Sequence, residues 1–291
     1  MKKALSLMTA AALVLSLAAC GSTASSAASS EAASSETASS DAASSEAASS
    51  EAASETETAE LSTVEPGKLI MSTNAAFPPY EMTTDSGEFE GIDIETAQAI
   101  ADKLGLELQI DDMDFDAALL SVQQGKADIV MAGVTVTDER KAVMDFSDSY
   151  ATGIQSVIVP EGSDIASVDD LAGKKIGTQR GTTGYLYCSD DFGEDAVVAY
   201  DNGLTAVQAL NNGQVDAVVI DNEPAKAYVE SNPGLKILDT SYAEEDYAIG
   251  MNKSNTALLE AVNAALEELK ADGTLQAIVD KYICLLYTSP S

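Results

Sequence analysis

The sequence contains no histidine and no tryptophan, and its 15 basic residues face 48 acidic ones, for a formal net charge of −33. Without histidine it has no Ser-His-Asp triad, no Cys-His dyad, no histidine-ligated zinc and no ordinary near-neutral proton shuttle. The negative charge argues against nucleic acid or an anionic membrane surface as a partner. The cysteines, Cys20, Cys188 and Cys284, are too far apart for a CxxC pair and imply no disulfide framework. Any catalysis would rest on carboxylates, lysine or tyrosine.

Residues 1–20 have the layout of a secretory signal. Lys2 and Lys3 precede an apolar run from Ala4 to Ala19, which is too short for a comfortable membrane span and ends in LAAC. The ending resembles a bacterial lipobox, which implies that Cys20 becomes a lipid-modified N-terminus held by two acyl chains. The alternative is an ordinary cleaved signal with an incidental cysteine.

Residues 21–60 are almost entirely Ser, Ala, Thr and acid, with an acidic residue at every fifth position from Glu31 to Glu51. Such a segment buries too little apolar surface to offset its chain entropy, and its like charges repel. We predict a disordered tether reaching about 35 Å or more; an Ala-rich helix is disfavoured by the serines. At the other end, residues 284–291 (CLLYTSPS) resemble a translated sequencing adapter, so we expect them to be a scar outside the fold.

The segment between these ends, residues 61–283, alternates short apolar runs with helical stretches, which predicts βαβ units and a parallel-sheet α/β protein. Ile94, Ala97, Ala101 and Leu104 share one helix face. A second helix carries the apolar set Leu258, Val262, Ala265, Leu266 and Leu269.

An internal echo suggests two similar halves. SVQQGKADIVMAG, ending at Gly133, and ALNNGQVDAVVID, ending at Asp221, both read as helix, glycine, acid and strand. If each belongs to its own sheet, both ends lie at carboxyl edges of strands, where open α/β sheets bind ligands. Chance recurrence of this short pattern is the alternative.

Several motifs together resemble one family: FPPYEM, FEGIDIETAQAIADKLG, the run from Asp112 to Tyr150, GTQRGTTG and the strand ending at Asp221. The chain resembles the extracellular solute-binding proteins (family 3) of ABC importers, in the branch that binds polar amino acids. The resemblance implies a type II periplasmic-binding-protein-like α/β fold, with each lobe a mostly parallel sheet flanked by helices. It implies lobe 1 at 62–150 and 248–283, lobe 2 at 155–242, and a two-strand hinge near 150–154 and 243–247.

The chemistry of a free amino acid agrees with this resemblance, because the ligand needs a cation, an anion and a wall. Arg140 in TVTDER, in the first turn of a helix, would hold the carboxylate with its planar fork, and Thr135 would close the preceding strand. A surface arginine paired with Asp138 or Glu139 is the alternative. Backbone N–H groups from Gly181 to Thr183 would add donors, although Thr182 could simply cap a helix.

Asp221 would hold the ligand ammonium, assisted by the Gly133 carbonyl and the Thr135 hydroxyl, with Ala132 beside them; capping the helix that starts at Asn222 is its alternative role. Phe77 and Phe115 occupy positions where the family lays rings against the ligand, and core packing is the alternative for both.

The specificity positions favour a neutral ligand slightly. Asn74 stands where several family members carry an aspartate, and Gln179 stands where a glutamine-binding relative has a cation. A neutral polar amino acid is therefore the favourite, but Glu81 could restore a cationic preference.

A membrane permease would recognise the closed form, and the absence of a P-loop motif means that this chain supplies no transport energy. We expect a monomer with no cofactor. DMDFDA from Asp112 lacks the glycine and glutamate of a calcium loop, so no metal is assigned. Cys188 is expected to be buried and structural. The alternatives are a dehydratase on the same scaffold, with Glu81 as acid or base, and a ligand-sensing module.

Overall fold

The computed structural model describes residues 61–283. The predicted signal, the Cys20 lipid site, the tether and the expected scar with Cys284 lie outside the described residues. Within 61–283, no helix combines the length and apolar character needed to cross a bilayer.

The described residues form short strands and longer helices in alternation. In chain order the strands are β1 (Lys68–Thr73), β2 (Ala76–Phe77), β3 (Glu81–Thr83), β4 (Phe89–Glu90), β5 (Glu107–Asp112), β6 (Ile129–Val130), β7 (Asp145–Phe146), β8 (Ala151–Pro160), β9 (Ile176–Gln179), β10 (Val197–Tyr200), β11 (Ala217–Asp221), β12 (Leu235–Ile237), β13 (Ala243–Tyr247) and β14 (Gly250–Met251). The helices are α1 (Ile92–Leu104), α2 (Phe115–Gln123), α3 (Asp138–Val143), α4 (Thr183–Phe192), α5 (Gly203–Asn211), α6 (Asn222–Ser231), α7 (Thr256–Ala271) and α8 (Thr274–Ile283).

The strands form two main sheets, each with a parallel half and an antiparallel half. The first has the order β5-β1-β6-β14-β7, and its parallel strands are β5, β1 and β6. The second has the order β10-β9-β11-β8-β12, with β13 also paired to β8, and its parallel strands are β10, β9 and β11. The sheets are thus mixed, because β7, β8 and β12 to β14 add antiparallel pairs, which need no helical crossover, to the parallel strands expected from the sequence.

Two neighbouring strands carry the chain between the sheets. β8 leads from the first sheet into the second, β13 pairs with it antiparallel from Ala151 opposite Tyr247 to Gln155 opposite Ala243, and the chain then returns to β14. Gly153 allows this close approach, since a Cβ there would lie 2.5 Å from ring atoms of Tyr247. β2, β3 and β4 form a separate small antiparallel sheet beside β1 in sequence.

The helices bury the faces that the apolar periodicity predicts. In α1 Ile94, Ala97 and Ala101 are buried, and Leu104 is half-buried at the end of the helix. In α7 all five predicted core residues are buried. Cys188 is buried and unpaired, as expected.

The strand before the first predicted ligand residues is shorter than the sequence indicates. β6 ends at Val130, so Gly133 is not a strand end and Thr135 does not close the strand; Thr135 makes an isolated bridge to Tyr247 instead. Gly133 has a φ of 54°, and a Cβ there would lie 2.9 Å from the Phe77 ring, so the chain turns away from the sheet here.

Candidate functional site

A cavity lies where the carboxyl-terminal edges of the two parallel half-sheets face each other. Its volume is about 20 Å³, room for a single water molecule. It is lined by all ten residues predicted from the sequence and by two others: Asn74, Phe77, Glu81, Phe115, Ala132, Gly133, Thr135, Arg140, Gln179, Thr182, Thr183 and Asp221.

Arg140 enters the cavity from the short helix α3, which Thr137 caps by accepting from the Arg140 backbone N–H at 3.2 Å. Its guanidinium donates from Nη1 to the Thr135 carbonyl at 2.8 Å and from Nη2 to the Gly181 carbonyl at 3.1 Å. Only 8% of the residue is exposed. The guanidinium is thus fixed by backbone oxygens from both sides of the cavity.

No carboxylate oxygen lies within 4.0 Å of Arg140 among residues 61–283, so the alternative of a surface pair with Asp138 or Glu139 is wrong. Burial lowers the pKa of Arg140, and the nearby charge of Glu245 partly offsets that effect. The guanidinium stays charged, because an arginine pKa begins far above neutrality. It lies 5.3 Å from the centre of the Phe115 ring.

The loop after β9 faces Arg140 across the cavity. Thr182 accepts from the Tyr185 backbone N–H and caps α4, so the interpretation of Thr182 as a helix cap is confirmed. Thr183, the first residue of α4, is buried, and its hydroxyl lies 3.4 Å from that of Thr135. The free N–H groups of this first turn make this edge favourable for an anion.

Asp221 ends β11 and precedes α6, but its side chain makes no capping hydrogen bond. Its carboxylate instead accepts from the Tyr247 hydroxyl. Burial raises the pKa of Asp221 to about 7, although the Tyr247 hydrogen bond opposes the rise. The residue is therefore a buried acid close to its titration point at neutral pH.

Asn74 and Gln179 meet directly across the cavity. The Gln179 amide donates from Nε2 to Oδ1 of Asn74 at 2.9 Å, and Nδ2 of Asn74 donates to the Met113 carbonyl at 2.8 Å. Both amides are buried, so each polar atom engaged here gains from its partner.

The aromatic residues Phe77 and Phe115 lie both in the cavity wall and in the apolar core. Phe77 and Phe115 line the cavity, and each also belongs to a cluster of buried apolar side chains. Their rings give the site apolar walls without being exposed.

Three buried groups beside the cavity were not identified as site residues from the sequence. Asp93 accepts from the Gly133 backbone N–H at 3.0 Å and from the Tyr150 hydroxyl at 2.7 Å. Glu245 accepts from Gln155 at 2.9 Å and from the Thr135 hydroxyl at 3.3 Å. The third is Tyr247. Two signals were available: Asp93 lies four residues before Ala97 on the apolar face of α1, and Glu245 shares a face of β13 with Tyr247.

Comparison with known proteins assigns the family. Residues 69–284 match the sequence model of bacterial extracellular solute-binding proteins, family 3. The L-cystine-binding protein TcyJ of Escherichia coli (strain K12) is 34% identical over 222 residues, which cover 75% of this chain and 83% of that protein. The ABC transporter glutamine-binding protein GlnH of Bacillus subtilis (strain 168) is 35% identical over 202 residues, 68% of this chain and 74% of that protein.

A solved structure gives the same result. An ancestral arginine-binding protein bound to arginine superposes with a TM-score of 0.71 at 44% identity, covering 74% of this chain and 98% of that one. The chain therefore belongs to the bacterial extracellular solute-binding proteins, family 3, as its motifs indicated. It is an extracytoplasmic binding protein with the two-lobed α/β fold expected from the sequence, and not an enzyme.

Proposed function

We propose that the cavity binds one free polar amino acid and that Arg140 and Asp221 hold its two charged ends. The chain would then deliver the amino acid to the permease of an ABC transporter, as expected for its family. The observation that carries this proposal is the buried guanidinium of Arg140, which has no carboxylate partner among residues 61–283.

A buried cation without a counter-ion is costly, and a ligand carboxylate would relieve that cost. Two of the five guanidinium N–H groups donate to the Thr135 and Gly181 carbonyls, so three remain for a ligand. Those two bonds also fix the plane of the fork, which favours bidentate binding of a carboxylate.

The ligand ammonium would lie against Asp221, with the Gly133 carbonyl and the Thr135 hydroxyl as further acceptors. The pKa of Asp221 is about 7, and a neighbouring ammonium would lower it, because an opposite charge favours the ionised form. Binding at neutral pH would thus complete the ionisation of Asp221.

The ligand side chain would run between the Phe77 and Phe115 rings toward Asn74, Glu81 and Gln179. This end of the cavity offers amide and carboxyl groups and no lysine or arginine, which disfavours an acidic ligand. Relatives named for cystine, glutamine and arginine are consistent with a neutral polar or a cationic amino acid.

Closure would use the two strands that join the sheets. We propose lobe 1 at 62–150 and 248–283 and lobe 2 at 155–242, with β8 and β13 as the hinge. Four side-chain hydrogen bonds join these lobes: Asn74 with Gln179, Thr135 with Thr183, Arg140 with Gly181, and Tyr228 with Ala76. A bound amino acid would replace the first three, which lie in the cavity, and stabilise the closed state through contacts with both lobes.

The N-terminal motif supports a membrane anchor, with Cys20 as the lipidated residue and residues 21–60 as the tether of a monomeric binding protein. Cells expressing Cys20→Ala should release the protein from the membrane fraction, and radiolabelled palmitate should mark the unaltered chain only. Equal labelling of both chains would contradict the anchor.

Screening the purified chain against the twenty amino acids and cystine, by thermal unfolding, tests the binding function. One or two ligands should raise the unfolding midpoint strongly, since a ligand at a hundred times its Kd adds about 2.7 kcal/mol of stability. The same ligands should be recovered unchanged after incubation. If no amino acid shifts the midpoint, the proposal fails.

A further inference from the structure

Glu81 is a buried carboxyl group that the amino-acid contacts proposed above leave without a defined role. It begins β3, it is 1% exposed, and it lines the cavity beside the Phe77 ring. Within residues 61–283 neither of its carboxyl oxygens accepts a hydrogen bond from an N–H or hydroxyl group, and its one polar neighbour by hydrogen bonding is the carboxyl of Asp93. Such a pairing requires a proton on one of the two carboxyls, and it leaves Glu81 with unused hydrogen-bonding capacity toward the cavity.

The groups that face Glu81 leave it in the protonated form. Three carboxyls from three elements act on it, and tyrosine hydroxyls lie around them; these groups are Asp93 on α1, Asp112 on β5, Asp221 on β11, and Tyr80, Tyr150 and Tyr228. The nearest cation in the same cavity is Arg140, at the carboxylate end. Burial first and the charge of Asp93 second raise the pKa of Glu81 well above its usual range.

Asp93 and Glu81 differ in the hydrogen-bond donors that face them, and this difference decides which of the two carboxyls is ionised. Asp93 receives the Gly133 N–H and the Tyr150 hydroxyl, which favour its ionised form and limit the effect of burial to a pKa of about 6. Glu81 receives no such donor and instead shares its proton in a hydrogen bond with Asp93, which raises the pKa of Glu81 and lowers that of Asp93, so Glu81 keeps the proton while Asp93 keeps its charge. One negative charge thus lies beside one neutral carboxyl at the side-chain end of the cavity.

We propose that Glu81 is the specificity group of the site and that it exchanges its proton for the positive charge of the ligand. This inference rests on the function proposed above. With a neutral amide or ureido side chain bound, Glu81 stays protonated and can both donate and accept a hydrogen bond. With a guanidinium or ammonium side chain bound, its O–H bond breaks, the proton passes to the solvent buffer, and the carboxylate pairs with the cation.

The consequence is a ligand preference that depends on pH. Affinity for a cationic amino acid rises by up to about tenfold per pH unit while the free protein holds the Glu81 proton, because binding releases that proton. Affinity for a neutral amino acid has no such dependence on Glu81. Ionisation of Asp221 by the ligand ammonium is common to both, so it cancels in the comparison.

Arginine and citrulline form the matched pair of probes, since the two differ in a charged guanidinium against a neutral ureido group of similar shape. Calorimetry with the purified chain at pH 7, in two buffers of different ionisation enthalpy, measures the protons released by each. Arginine should release about one proton more than citrulline per molecule bound. Glu81→Gln should remove the difference, and Glu90→Gln, which alters an exposed acid on β4, should preserve it.

The comparison of the two ligands needs no variant, so a folding defect in Glu81→Gln cannot hide the answer. Equal proton release by arginine and citrulline overturns the proposal, and so does an unequal release that survives in folded Glu81→Gln. If only arginine binds, its release is compared between the unaltered chain and Glu81→Gln, and equal values overturn it. If only citrulline binds up to pH 8.5, Glu81 does not accept a cation and the proposal is wrong. Failure of all amino acids to bind would refute the proposed function itself.

Discussion

The hydroxyl of Tyr247, at the end of the hinge strand β13, donates a hydrogen bond to the carboxylate of Asp221, which ends β11 in the same sheet. Tyr247 is completely buried, and its ring packs edge-on against Tyr80 with centroids 5.2 Å apart. The proposed ammonium acceptor is therefore aligned by a residue that also belongs to the crossing between the sheets. The proposed ligand site and the crossing between the sheets therefore share this contact.

We expect Tyr247→Phe to weaken ligand binding at neutral pH and to shift its dependence on pH. Losing the donor raises the pKa of Asp221 beyond about 7, because the hydrogen bond opposes the effect of burial. The proposed binding mode requires ionised Asp221. As the pH is lowered, affinity in Tyr247→Phe should therefore begin to fall at a higher pH than in the unaltered chain. Calorimetry from pH 5 to 9 measures the shift. Tyr200→Phe, outside the cavity lining, is the control, and an unshifted profile in Tyr247→Phe would mean that the hydroxyl does not tune Asp221.

Arg140→Ala should lower ligand affinity by about 2 to 5 kcal/mol, thirtyfold to several-thousandfold, because the ligand carboxylate loses the one cation that residues 61–283 place in the cavity wall. Arg140→Lys should recover only part of the loss, since one ammonium cannot span the Thr135 and Gly181 carbonyls and also present a fork. Titration calorimetry measures both variants. Lys141→Ala, on the exposed side of α3, is the control. Unaltered affinity in Arg140→Ala would remove this residue from the site.

The sequence was sufficient to identify the residues around the cavity, because motifs on separate segments converge where parallel strands end. Thr183 and Asp221 follow directly from that rule. Thr135 does not, since β6 ends at Val130 and a loop brings Thr135 to the site through a bridge with Tyr247. The sequence named Glu81 as a possible partner of a cationic ligand, but the protonation states of Glu81 and Asp93 were not predictable from spacing. They depend on which backbone N–H and hydroxyl groups fold against each carboxyl, and those donors come from distant parts of the chain.

The ligand-free chain should be more stable at pH 5 than at pH 8. The pKa of Asp221 is about 7 in the folded state and near its ordinary value of 3.8 when unfolded, so the folded state binds more protons between those values. Stability is then lost as pH rises through that interval, on the order of 3 kcal/mol for this residue. Asp93 and Glu81 act in the same direction.

Urea unfolding at pH 5, 6, 7 and 8 measures this loss, and Asp221→Asn should reduce it. Asp138→Asn, a matched variant at an exposed position, should show the same loss of stability between pH 5 and pH 8 as the unaltered chain. Stability that increased with pH in the unaltered chain would show that Asp221 is not held in a raised-pKa state.

Asn74→Asp should cost stability and shift the ligand preference toward cations. The Asn74 amide donates to the Met113 carbonyl and accepts from Gln179, so it satisfies a donor and an acceptor at once. Aspartate would place a carboxylate oxygen against the Met113 carbonyl, in a position only 8% exposed, and we expect a loss of about 1 to 3 kcal/mol in the free energy of unfolding. The added charge should also raise the affinity for arginine relative to citrulline, because a cation at this end of the cavity gains a further partner.

Urea unfolding measures the loss of stability in Asn74→Asp, and calorimetry with arginine and citrulline measures the change in ligand preference. Asn74→Ala removes the same hydrogen bonds without adding charge, so it should lower stability and leave the arginine-to-citrulline ratio nearly unchanged. An equal ratio in the aspartate and alanine variants would show that position 74 does not contact the ligand side chain.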